Sequence, residues 1–88
     1  SNSDRVTVMG AVARPGTFPM EPGMTVVQAI SMAGGFTPLA QQNDTVLTRR
    51  AGEGVRRFAV PVRRISDGRD PDVPLRGGDI VFIPERVF

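Results

Sequence analysis

The chain has 88 residues, a formal net charge of +2, no cysteine and no histidine. That length holds one domain and buries only roughly 60–65% of the surface its unfolded form exposes. The missing residue types exclude disulfides, thiolate metal sites and imidazole chemistry, so hydrophobic packing has to carry the fold. No apolar run approaches the ~18 residues of a membrane-spanning helix, and direct membrane insertion is not expected of this segment. Residues 1–4 read as a tag scar or linker, and residues 5–88 as the domain.

Arg5 to Val12 alternates, with Val6, Val8 and Val12 on one face and Thr7, Met9 and Ala11 on the other. This predicts a strand, and Gly10 inside it marks a bulge or a close backbone approach. Arg14-Pro15-Gly16 reads as a tight turn, proline presetting φ and Gly16 supplying a positive φ. Thr17 to Met20 then returns antiparallel, completing a hairpin. Glu21-Pro22-Gly23 ends it. Thr25-Val26-Val27-Gln28 is a capping box that opens a helix. Val26, Ile30 and Ala33, with Val27 beside them, give the helix one apolar stripe. Gly34-Gly35 supplies a left-handed C-cap, and Phe36 packs back on the last turn.

Thr37 to Asp44 is a polar loop. Two strands, Thr45 to Arg50 and Gly54 to Val62, are joined by the Ala51-Gly52-Glu53-Gly54 turn, and Pro61 marks the second as an edge strand. A helical turn over Arg63 to Asp67 precedes an irregular stretch from Gly68 to Pro74. Leu75 to Asp79 is a turn, and Ile80-Val81-Phe82-Ile83 is a continuous apolar run, the pattern of a strand covered on both faces. That last strand is expected at the centre, parallel to the first if the helix is the crossover between them. The order predicts an α+β, β-grasp (ubiquitin-like) fold, a mixed sheet of four to five strands packed on one α-helix. The predicted core is Val6, Val8, Val12, Val26, Ile30, Ala33, Phe36, Phe58, Val60, Leu75, Ile80 and Phe82.

Several segments carry a resemblance: Val6-Thr7-Val8-Met9-Gly10-Ala11-Val12, Arg14-Pro15-Gly16, Gly23-Met24-Thr25-Val26, Ala33-Gly34-Gly35-Phe36 and Gly78-Asp79-Ile80-Val81. Together they resemble the soluble-ligand-binding β-grasp (SLBB) domain, as found in bacterial outer-membrane polysaccharide export proteins. Gly10, Pro15, Gly16, Gly23, Thr25, Gly34, Gly35, Gly78 and Asp79 form the signature, and Arg49 in a Val-x-x-Arg strand also fits. The resemblance implies a non-catalytic periplasmic module of an outer-membrane-associated protein. Its partners would be sister subunits in a homo-oligomeric ring, the exopolysaccharide or capsule chain, and an inner-membrane polysaccharide co-polymerase. The alternative is a small-ligand or carbohydrate-binding module with a defined binding patch.

All 11 cations are arginine, against nine carboxylates. Coding bias is the plain explanation, and selection for bidentate anion or interface contacts the sharper one. Arg49-Arg50 and Arg56-Arg57 flank one turn, and adjacent strand residues point to opposite faces, so at most two of these four share a face. The plain reading of these and of the third pair, Arg63-Arg64, is solvated surface with scattered ion pairs to Glu53, Asp67 or Asp70. Their functional reading is glycan or subunit contact, with Arg14 as a further candidate. Nucleic acid is not an expected partner, since no tyrosine or tryptophan is present for stacking. Asp67, Asp70, Asp72 and Asp79 do not follow a Ca²⁺-loop spacing, and Asp79 reads as fixing the turn before the last strand. No catalytic group, metal or cofactor is expected.

Overall fold

The valines of the first alternating stretch form β1 (Arg5–Gly10), with Val6 and Val8 buried and Thr7 and Met9 on the opposite face. A computed structural model of the chain describes residues 2–87. Strand β1 ends at Gly10, whose φ is +94°, and a Cβ at that position would overlap the Ile83 carbonyl oxygen. The left-handed residue breaks the two-residue period, so Ala11 and Val12 are both buried rather than facing opposite ways. The Ala11 amide then donates to the Ile83 carbonyl at 2.8 Å.

The expected tight turn at Arg14-Pro15-Gly16 is instead a wider connection. Its backbone is tied to the end of the first helix, Ala13 N–H donating to Gly35 O at 3.0 Å and Arg14 N–H to Ala33 O at 2.8 Å. With the chain reversed by that anchorage, Gly16 needs no positive φ and opens β2 (Gly16–Pro19), antiparallel to β1.

Helix α1 (Val26–Met32) starts where the capping pattern places it, the Thr25 hydroxyl accepting from the Gln28 amide at 3.2 Å. Val26, Ala29, Ile30 and Ala33 are its buried stripe, and Val27 is half-buried beside them. Gly34 and Gly35 both have positive φ. The Gly35 amide donates back to Ile30 O at 2.9 Å, and Phe36 bridges to Val12 and packs on the core edge.

After a 3-10 turn at Gln42–Asp44 come β3 (Thr45–Ala51) and β4 (Gly54–Val60). Strand β4 stops two residues short of the expected Val62. Pro61 has no N–H for the ladder and instead precedes a short helix, α2 (Val62–Ser66), which buries Val62 from the helix side. The last strand, β5 (Ile80–Ile83), lies in the middle of the order β2-β1-β5-β3-β4. It runs parallel to β1 and antiparallel to β3. The architecture is α+β and β-grasp-like, a five-stranded mixed sheet with its helices over one face.

One expectation about this sheet is wrong. Strand β5 is not covered on both faces: Val81 and Ile83 are buried, whereas Ile80 and Phe82 are 36% and 40% exposed. Ile80 and Phe82 therefore leave the predicted core, and Val81 and Ile83 take their place. Met24, Ala29, Leu47 and Val62 also join it, while Phe36 and Phe58 pack at its margin. Residues 2–4 form a 3-10 turn against the sheet end, where the Asp4 carbonyl accepts from Met20 N–H at 2.8 Å.

Candidate functional site

The pairing registers assign every strand residue to a face. Thr7 pairs with Thr17 and Ile80, Met9 with Phe82, Val46 with Phe82 and Ala59, and Thr48 with Ile80 and Arg57. All of these lie on the side of the sheet away from α1. No element covers that side among the described residues. At its centre Met9, Val46, Thr48, Arg57, Ile80 and Phe82 line a shallow depression of about 410 Å³. A smaller one of about 140 Å³, lined by Arg5, Thr7, Thr17, Gly78 and Ile80, adjoins it through Ile80. The two make a continuous track across the strands.

The track mixes methyl, thioether and phenyl surface with hydroxyls. Thr7 and Thr17 stand opposite one another, their Oγ1 atoms 3.3 Å apart. The charged residues that line the track, Arg5 and Arg57, are cationic. Arg5 alternates onto this face with Thr7, Arg57 sits opposite Thr48, and Arg50 follows Thr48 on β3. No carboxylate occupies an open-face position on any of the five strands. Arg5, Arg50 and Arg57 form no ion pair among the described residues.

The arginines singled out from sequence divide between the faces. Arg50 and Arg57 lie on the open face, while Arg49 and Arg56 are cross-strand partners on the helix face. Arg49 is tied inside the protein. Its Nε donates to Asp79 Oδ1 at 3.1 Å, its Nη2 to Asp79 Oδ2 at 2.8 Å and to Pro74 O at 3.1 Å. The Asp79 hydrogen bond holds the Arg49 guanidinium above its ordinary pKa against the opposing effect of burial. Asp79 also accepts from the Arg76 amide at 2.8 Å, fixing the turn into β5 as its position predicts. Arg56 is exposed, and Arg14 lies beside the end of α1, where a Cβ on Gly34 would come within 3.3 Å of its Cζ. The structure therefore brings two of the five candidates to one surface.

The other signature residues serve the backbone. Gly23 and Gly78 have positive φ, and the Gly78 amide donates to Arg5 O at 2.7 Å; Pro15 lies in the connection into β2. Three more of the aspartates are engaged elsewhere. Asp67 meets Arg63 at 3.6 Å, Asp70 meets Arg64 at 2.9 Å, and Asp72 accepts from Val73 N–H at 2.8 Å and Val27 N–H at 3.4 Å.

Sequence reasoning missed Met9, Val46, Thr48, Ile80 and Phe82 as a surface because the β5 run reads as interior. A signal was present nonetheless: one full-length helix can cover only one face of a five-stranded sheet.

The fold is thus a β-grasp-like sheet with one uncovered face that carries only shallow depressions. The SLBB domain family model matches residues 5–59, well over half the chain, and the chain belongs to that family. An SLBB domain suggests a ligand-binding module of the kind common in polysaccharide export proteins. No curated protein matches the chain. Ile80 and Phe82 lie outside the matched residues, so the centre of the open face is supplied by the segment the family model does not reach.

Proposed function

We propose that the chain is a non-catalytic module of a polysaccharide export protein for exopolysaccharide or capsule. It works in the periplasm as part of an outer-membrane-associated assembly. There it packs against sister subunits in a homo-oligomeric ring and touches the passing glycan weakly, with an inner-membrane polysaccharide co-polymerase as a further partner. The observation that supports this reading is the open sheet face of an SLBB domain, which is wide, shallow and mixed in polarity. Such a surface gives many weak contacts, and cargo that must move on has to be held weakly. The small-ligand alternative is less well supported, because the enclosed volumes are shallow and a small-molecule site is a concave pocket that buries most of its ligand. In-frame deletion of residues 5–88 from the parent protein is the test. Surface polysaccharide should be lost while the protein persists on an immunoblot; undiminished polysaccharide would show the reading to be wrong.

A further inference from the structure

The occupant of the open face can be narrowed from its size and charge. Five strands about 4.8 Å apart span about 19 Å, and strands of four to seven residues at about 3.3 Å each run about 13–23 Å. The flat footprint of the face is therefore roughly 300–400 Å², small beside the ~800 Å² of accessible surface per partner that a stable protein–protein interface buries, even allowing for the relief of its side chains. A second copy laid face to face would also bring Arg5, Arg50 and Arg57 toward the same three arginines, with no carboxylate on either face to offset them. A slender, negatively charged chain meets neither objection.

The chemistry along the track suits sugar rings. A pyranose has hydroxyls at its rim and C–H groups on its faces. Thr7, Thr17 and Thr48 supply hydroxyl partners, while Phe82, Ile80 and Met9 supply apolar contact. Arg57 at one end and Arg5 at the other place guanidiniums that pair well with carboxylates.

We infer that the open face, running from Arg5 and Thr7 across Ile80 and Phe82 to Arg57, is a track for an anionic polysaccharide. The chain crosses the strands with its rings on Phe82, Ile80 and Met9 and its acidic groups toward Arg5 and Arg57. This assignment rests on the polysaccharide reading above and adds the face, the direction and the charge of the glycan.

The test titrates the ¹⁵N-labelled 88-residue chain with polygalacturonate oligomers, and in parallel with the same oligomers methyl-esterified so that the charge is removed. The charged oligomers should shift the amides of Thr7, Met9, Thr48 and Phe82 saturably. Binding should weaken as added salt shortens the screening length from about 30 Å at 0.01 M to about 8 Å at 0.15 M. Arg57→Gln and Arg5→Gln should each weaken it about 1.5- to 5-fold, with amide spectra unchanged away from the face. Phe82→Ser should weaken charged and esterified oligomers alike. Equal binding of the esterified oligomers at this face would overturn the anionic assignment and leave the glycan-contact reading standing. No shift on the face with either oligomer would overturn both, and the deletion test would still report on export separately. Polyglutamate binding as tightly as polygalacturonate would overturn the sugar assignment in favour of an acidic protein partner. Shifts on this face that grow with protein concentration alone would assign it to a second copy instead.

Discussion

Arg49 and Asp79 show how a single pair of side chains can hold together segments remote in sequence. Asp79 is 1% exposed and the Arg49 side chain 15%, and the fork between them joins β3 to the turn that launches β5. A lysine could supply the charge but not the two parallel bonds, nor reach Pro74 O at the same time. Arg49→Met should therefore cost about 3 kcal/mol in urea denaturation, chiefly by stranding a buried carboxylate. A loss below about 1 kcal/mol would mean that the pair is no clamp. The exposed pair Arg64–Asp70 behaves differently. The hydrogen bond from Arg64 holds the Asp70 carboxyl below its ordinary value of 3.8. Its contribution is thus complete above that value and is lost as pH falls through the lowered one. Arg64→Gln should lower the melting temperature slightly at about pH 6, by an amount that shrinks as pH falls below 3.8. An equal difference across that range would rule out the ion pair as the cause. Of these roles, that of Asp79 at the turn is legible in the sequence; the identity of its partner is not, because 30 residues separate the two in sequence.

At the scale of elements, β5 carries most of the distinction between fold and site. Its four residues are equally apolar in sequence, yet alternate between the core and the open face. Ile83→Ala should cost about 2–5 kcal/mol, as expected for a buried aliphatic side chain with little room to relax. Phe82→Ser should change stability far less, since 40% of the residue is already in contact with solvent. Thermal or urea denaturation of the two variants distinguishes the faces, and equal losses would place Phe82 in the core after all. Composition cannot make that distinction. An uninterrupted apolar strand is ordinarily covered twice, and here one layer of helices leaves its second side open. The capped ends of α1 are the opposite case. Thr25, Gly34 and Gly35 act on their immediate neighbours, so the helix and its limits follow from local pattern alone.

For the whole molecule, the roughly 300–400 Å² footprint of the open face and its unrelieved positive charge set the expected association state. The isolated chain should sediment as a monomer at micromolar concentration, the ring contacts proposed above requiring neighbouring parts of a larger protein. A dimer that strengthens with added salt would contradict this, by showing that the like charges were all that kept two faces apart. The sequence by itself determined the α+β order of elements, the capped helix and the SLBB membership. Each is encoded in contiguous periodicity, in turn chemistry or in local motifs. Only the tertiary structure decided that Arg49 is locked to Asp79 while Arg57 lies exposed on the open face, and that Ile80 and Phe82 face outward. Those outcomes depend on strand register and on which side of the sheet the helix covers, and both are set by contacts between residues far apart in the chain.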